Sequence, residues 1–413
     1  MEHDAGEIAA WLELLRTPQL GAARIRALVR AFGSARAALA LRGSAWIEAG
    51  VACPLDAGGP RGDVARGIER DVDWLRGEQC ALLRFTDDDW PAMLEGIADP
   101  PAALFVCGNV GVLWQPQIAV VGSRQATSGG LEHARDFASG FVARGLTVTS
   151  GFARGIDAAA HAAALAAGGF TVAVCGTGLD VDYPRGSGAL ANAIAASGAL
   201  VSEHPCGTPP LAGHFPQRNR LISGLSLGTL VIEAGVKSGS LITARLAAEQ
   251  GREVFAVPGS IRNPQARGCH ALIRDGARLV ESTVEVCDAL LPMAAELAAA
   301  IRVKLADADG GAARTSFRTG GQELMPGRSG TTFGDATCDA ALTSSGSSTH
   351  TPQPVVEALS DPLLQALGFD AISLEKLLEA VDLDIPAVSA RLLTLELAGF
   401  IEVLPGARYV RLR

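Results

Sequence analysis

Gln117-Ile118-Ala119-Val120-Val121-Gly122-Ser123-Arg124-Gln125-Ala126-Thr127 decides the fold of this chain, because a short apolar strand runs straight into a glycine turn and a helical stretch follows. The same unit returns with strands at 147–149, 171–174, 199–201, 229–232, 253–257 and 277–280. Strands that are apolar on both faces and alternate with helices predict an α/β fold, a parallel sheet covered by helices on two sides. Right-handed crossovers then bring every loop that leaves a strand to the carboxyl edge, where open α/β sheets bind ligands.

Upstream, residues 8–40 read as short helices, with Ile8, Trp11, Leu12 and Leu15 on one face and Ile25, Leu28, Val29 and Phe32 on another. Thr17-Pro18-Gln19-Leu20-Gly21-Ala22 between them is a tight turn. The pattern fits either a helix-hairpin-helix, whose hairpin amides touch a phosphate, or a small helical cap packed on its neighbour. Downstream, residues 291–354 turn Ala-rich and then rich in Gly, Ser and Thr, which predicts a flexible linker. Helical patterns at 355–367, 373–380 and 385–398 precede two short strands around Pro405-Gly406, the order of a winged helix-turn-helix.

The chain has 413 residues, 48% of them hydrophobic, which is too long for one core and divides into two to four units. A formal charge of −9 argues on average against a nucleic-acid partner. The average hides an asymmetry: residues 115–288 carry 14 Lys+Arg against 13 Asp+Glu, while residues 1–114 carry 11 against 16. The eight cysteines form no C-x-x-C, so neither a zinc framework nor a redox pair is expected. A leader segment and a long apolar span are both lacking, which predicts a cytosolic chain without a membrane span.

The loops that follow the strands hold the candidate site. Arg124 and Thr127 stand where a dinucleotide fingerprint needs glycines, so NAD is not expected. A helix N-terminus facing an anion remains, with Gly122 permitting close approach, Ser123 beside it and Arg124 adding a fork of donors. In Ser150-Gly151-Phe152-Ala153-Arg154-Gly155-Ile156-Asp157, Arg154 is the candidate contact, while Asp157 is placed to cap the next helix and to pair with His161.

His214-Phe215-Pro216-Gln217-Arg218-Asn219-Arg220 follows a proline-rich loop, and an exposed Phe215 ring there would stack on a base. Successive helical residues point in different directions, so of Arg218 and Arg220 one meets the ligand and the other ties loops together. Lys237, Ser238, Gly239 and Ser240 at a helix start form a phosphate rest, with Glu233 organising these donors. No P-loop, H-E-x-x-H or G-x-S-x-G motif occurs, so neither ATP hydrolysis nor metal or serine catalysis is expected.

Val121-Gly122-Ser123-Arg124, Ser150-Gly151 with Asp157-Ala158-Ala159-Ala160-His161, Tyr183-Pro184, Ser202-Glu203, Phe215 to Arg220 with Ile222-Ser223-Gly224-Leu225, Lys237-Ser238-Gly239-Ser240 and Val257-Pro258-Gly259 together resemble the DNA-processing protein A (DprA/Smf) family. The resemblance covers the central domain throughout, and both flanking units fit the family's arrangement. It implies an extended Rossmann-like parallel sheet with an N-terminal helical (SAM/helix-hairpin-helix-like) domain and a C-terminal winged helix. The boundaries implied are 1–114, 115–290, a linker 291–354, and 355–413.

The function the resemblance implies is a cytosolic, non-enzymatic mediator that uses no cofactor or metal. Such a protein binds single-stranded DNA, dimerises through the Rossmann-like domain, protects incoming DNA and loads the RecA recombinase in natural transformation. Phosphate contact falls at Gly122, Ser123 and Arg124, and base contact near Phe215. Where some family members carry a lysine just before that phenylalanine, this chain has Leu211-Ala212-Gly213-His214.

The expected DNA-binding set is therefore Gly122, Ser123, Arg124, Arg154, Phe215, Arg218, Asn219, Arg220, Lys237, Ser238, Gly239 and Ser240. Two rivals stay open. One is a phosphoribohydrolase-like enzyme that binds a nucleotide and uses Glu233 and Asp157 as acids; the other is a regulator reading duplex DNA through the winged helix.

Overall fold

The computed structural model describes residues 2–51, 62–311, 385–405 and 408–412, together with residues 363, 364, 367, 372–374, 377 and 378. Two compact units emerge, Met1–Leu297 and Ala298–Arg413.

The first unit opens with helices α1 (Glu2–Arg16), α2 (Ala22–Phe32), α3 (Ala35–Ala40), α4 (Ser44–Glu48) and α5 (Gly62–Leu75). Trp11, Leu14, Ile25, Leu28 and Trp46 belong to the shared core of α1 to α4, in which Leu14 is buried and Leu15, expected on that face, is only partly buried against it. The first amides of α3, which no intrahelical carbonyl can satisfy, are taken by Ser34 Oγ and by Glu7 from α1. Strands β1 (Cys80–Arg84) and β2 (Ala103–Gly108) follow. They pair antiparallel with each other, and β2 pairs antiparallel with the sheet beyond, at Ala199–Ser202. The expected boundary at 114 is therefore moved: part of 1–114 is built into the central sheet.

All seven expected parallel strands are present, as β3 (Gln117–Val121), β4 (Thr147–Ser150), β5 (Thr171–Val174), β6 (Ala199–Ser202), β7 (Gly228–Val231), β8 (Glu253–Ala256) and β9 (Arg278–Leu279). Helices α6 (Ser128–Val142), α7 (Ile156–Ala166), α8 (Gly188–Ser197), α9 (His214–Leu225), α10 (Ser240–Glu249) and α11 (Arg267–Arg274) connect them. The nine-stranded order is β1-β2-β6-β5-β4-β3-β7-β8-β9. After β3 the chain winds one way to β6 and then jumps back to β7, so the strand order reverses between β3 and β7. Loops leaving those two strands diverge, and that is where an open sheet leaves a crevice.

Alternation along β3 explains why these strands carry no polar face. Ile118 and Val120 point to one side with Phe137 and Phe141 of α6 and Ile156 and Ala160 of α7. Ala119 and Val121 point to the other with Leu221, Ile222 and Leu225 of α9. Both sides are dry, and each large side chain buried there contributes about 1.5–3 kcal/mol.

Helix α12 (Thr283–Gly311) runs on through Pro292 into the stretch expected to be linker. The Ala-rich run there is helix-forming sequence, so the linker cannot start at 291. Residues 312–354 lie outside the described residues.

In the second unit a helix (Ile385–Leu397) precedes β11 (Ile401–Leu404) and β12 (Arg408–Arg411), and Pro405 stands in the turn between these wing strands. Strand β10 (Ile372–Ser373) adds a third strand against β12, placing Ser373 in a sheet rather than at the start of the expected helix. Leu363, Leu367, Leu377, Val388, Leu392 and Phe400 form the core of this winged helix. Most of the expected helix at 355–367 lies outside the described residues. Among the described residues no helix is long and apolar enough to cross a membrane.

Candidate functional site

A cavity of about 740 Å³ opens where β3 and β7 part. Its lining draws together the loop after β3 (Gly122, Ser123, Arg124), the start of α9 (Phe215, Arg218, Asn219) and the loop before α10 (Lys237 to Ser240). A second cavity of about 550 Å³ lies beside it and shares Arg124, Gln125, Ala153, Phe215 and Arg218. Its own lining includes Arg154, Thr177, Tyr183 and Arg185. The partially buried Phe215 ring lines both, with the Arg124 guanidinium 5.6 Å from its centre and the Tyr183 ring 5.3 Å away. Phe215 is thus a boundary ring with accessible surface, not a core residue.

Arg124, Arg154 and Lys237 are exposed, and no ion pair engages any of them among the described residues. Arg218 is different. It is 5% exposed, and its Nη1 donates to the carbonyls of Gly151 and Val174. Burial pulls its pKa down while neighbouring Asp157 opposes that shift, and Asp157 is in turn raised by burial and lowered by Arg218. It lines both cavities as a fixed floor, while Arg220 is the one that lines neither.

Arg220 faces away from both cavities and binds Glu203 at 2.7 Å and Asp99 at 3.4 Å. It is the arginine that ties loops together. Asn219 Nδ2 donates to the Gly239 carbonyl at 3.3 Å, fixing the phosphate-rest loop to α9. The hydroxyls of Ser238 and Ser240 bond to each other at 2.7 Å.

Gly122 is required by packing. A Cβ there would come within 2.6 Å of Ile156 and 3.0 Å of the Glu233 carbonyl. Ser123 is buried, and its Oγ accepts from Gln125 N at 3.1 Å. The anion at the start of α6 is Glu233: its carboxylate accepts from Thr127 N at 2.9 Å and Thr127 Oγ1 at 2.7 Å. The protein's own carboxylate therefore meets the start of this helix, beside the loop that holds Gly122, Ser123 and Arg124. Asn263 Nδ2 also donates to Glu233, at 3.3 Å.

The expected Asp157–His161 pair does not form. His161 Nδ1 lies 2.6 Å from Thr171 Oγ1, and burial drives its pKa down to about 3, so the ring is neutral. Asp157 lies inside the first turn of α7, behind the cap Gly155, and accepts from Ala153 N at 3.2 Å. Both acids of the enzymatic rival are engaged in holding loops. Among the described residues no group of His, Cys, Asp or Glu is placed to hold a metal.

Sequence reasoning assigned no role to Tyr183, Thr177 or Arg185. Tyr183-Pro184 was visible as a motif, but nothing local says that the loop after β5 folds back against Phe215. That loop is held from outside the central strands, by the Arg70–Asp180 ion pair at 2.5 Å.

Residues 81–291 match the family described as DNA recombination-mediator protein A, residues 347–407 the DprA winged helix domain, and residues 5–42 the DprA-like N-terminal HHH domain. The central match begins at β1, in agreement with the shifted boundary. Protein Smf of Escherichia coli is 39% identical over 350 residues, spanning 84% of this chain and 82% of that one. The DNA processing protein DprA of Streptococcus pneumoniae is 48% identical over 200 residues, 48% of this chain and 71% of that protein. Its X-ray structure matches with a TM-score of 0.57 at 35% identity, covering 68% of this chain and 97% of that one.

Proposed function

The chain belongs to the DNA recombination-mediator protein A (DprA/Smf) family, and from that premise we propose that it binds single-stranded DNA along the carboxyl edge of its sheet and loads the RecA recombinase onto it. The observation that carries this reading is the convergence of unpaired Arg124, Arg154 and Lys237 around the accessible Phe215 ring. Cations without carboxylate partners release counterions when phosphates replace them, and an aromatic face accepts any base by stacking. A chain with net charge −9 binds a polyanion through this local arrangement, not through its average.

The protein works by holding the strand, without catalysis, cofactor or metal. The engagement of Glu233, Asp157 and His161 in structural hydrogen bonds supports this, since none is left as a free acid or base. It protects incoming DNA during natural transformation in the cytoplasm. Dimerisation through the Rossmann-like domain is supported by β9, the last strand in the sheet order, beyond which no strand pairs among the described residues and where Leu279 is exposed close to Val284 and Leu291 in the chain.

Fluorescence anisotropy with a single strand and a duplex of equal length tests the reading, with the single strand expected to bind more tightly. Equal or tighter duplex binding would move the DNA site to the winged helix. With RecA present, the protein should shorten the lag of filament assembly on single strands. Release of free base from nucleoside monophosphates would instead support the hydrolase.

A further inference from the structure

We propose that the second cavity is a separate nucleotide subsite: it takes a base stacked on Tyr183, with the adjoining phosphate held by Arg154 and Arg185. The inference rests on the single-strand reading above and assigns that reading a second binding position. The first cavity then holds one nucleotide and the second its neighbour, divided by Phe215.

The cavity's charge supports this. Arg124, Arg154 and Arg185 reach it from the loops after β3, β4 and β5, are all exposed, and show no ion pair among the described residues. Several arginines in this unit are compensated by carboxylates instead, as in Arg16–Asp71, Arg26–Glu95 and Arg220–Glu203. Acidic residues near the loop after β5 are already engaged: Asp180 pairs with Arg70 and accepts from Gly207 N, and Asp182 accepts from Gly186 N at 3.2 Å. No carboxylate is among the residues lining the cavity, so the exposed arginines give it a positive local charge.

Shape adds the ring. Tyr183 and Phe215 meet at 38° and together form an aromatic wall of the second cavity, while Phe215 also lines the first. Gly176 makes room for this wall, since a Cβ there would touch Phe215 Cδ1 at 3.0 Å. The floor includes Phe152, a non-glycine residue at φ +55°, whose ring is held near His161. A strained backbone position persists where surrounding packing over-determines it, and such positions gather at binding sites. Cys175 on the same floor has its thiol pushed up to about 12 by burial, so it contributes shape and no nucleophile.

The test uses the full chain with thymidine 5′-monophosphate and with oligothymidylates of up to about twenty nucleotides. Arg185→Gln should weaken binding severalfold on long strands and leave the mononucleotide unchanged, because a mononucleotide fills only the first cavity. A 2-aminopurine base walked along a bound strand should report two distinct unstacked positions. Tyr183→Leu should erase one of them, while melting checks that the variant is folded. An equal loss at every length, or no loss in folded variants, overturns the subsite while single-strand binding stands. Absence of binding by the unaltered chain at every length overturns both.

Discussion

Arg124 and Arg218 border the same two cavities, carry the same side chain, and do opposite work. Arg124 is exposed, reaches no carboxylate among the described residues, and lies against an aromatic ring. Arg218 is buried, faces Asp157, and donates to two loop carbonyls. The free cation has its full charge to offer a phosphate, whereas the buried one has exchanged its water for protein acceptors and fixes the loops after β4 and β5 in register. On the proposed reading, recognition by this edge has two layers, a neutralised floor that sets shape and a rim without carboxylate partners that supplies attraction.

The largest effect that would break this comparison is at the floor. Arg218→Ala strands Asp157 as an uncompensated buried carboxyl and should cost about 3–5 kcal/mol of folding stability. The double change Arg218→Met with Asp157→Leu should recover most of that loss, because it removes both charges together. If Arg218→Ala melts like the parent and only DNA affinity falls, Arg218 belongs with Arg124 on the rim.

A second test asks whether the buried imidazoles behave like the floor. His161 titrates near 3 and His204 near 4 in the folded chain, both lowered chiefly by burial, against about 6.5 when unfolded. Between those values the unfolded chain holds the extra protons, so stability is complete above about pH 6.5 and declines as the pH falls. For His161 the slope approaches roughly 1.4 kcal/mol per pH unit. Melting temperatures between pH 7.5 and 5 should drop accordingly, and a flat profile would mean that the imidazole is as solvated as the rim.

Phe215 sharpens the boundary between the layers. Phe215→Ala should weaken single-strand binding by about 1–3 kcal/mol through lost stacking while the melting temperature scarcely moves, because the ring is not part of either sheet core. A folding loss of about 3–5 kcal/mol would place the ring in the core instead.

The rim was more legible in the sequence than the floor, for a physical reason. Parallel strands announced themselves because Ile118 and Val120 serve one core and Ala119 and Val121 the other, leaving no polar alternation to mislead. Strands β1 and β2 stayed hidden, since Cys80-Ala81-Leu82-Leu83-Arg84 is short and sits beside an acidic turn. The difference between Arg218 and Arg220 was not readable, although the helical rule that they diverge was. Their partners, Gly151 and Val174 for one and Glu203 and Asp99 for the other, come from loops that local sequence cannot bring together. Glu233 was read as an organiser of donors, but its main partner, Thr127, stands 106 residues away.

The smallest effect is the most specific, and it concerns Arg124 itself. Each phosphate neutralised on a single strand contributes about −0.7 to the slope of log K against log salt. With about three to five contacts the parent slope should lie at roughly −2 to −4, and Arg124→Ala should flatten it by about 0.7. Phe215→Ala should leave that slope unchanged, since a lost stacking contact releases no counterion. The two variants could show similar affinity at one salt concentration and still separate when salt is varied. An unchanged slope in Arg124→Ala would mean that its guanidinium serves mainly to brace the Phe215 ring 5.6 Å away, and the rim would then rest on Arg154 and Lys237.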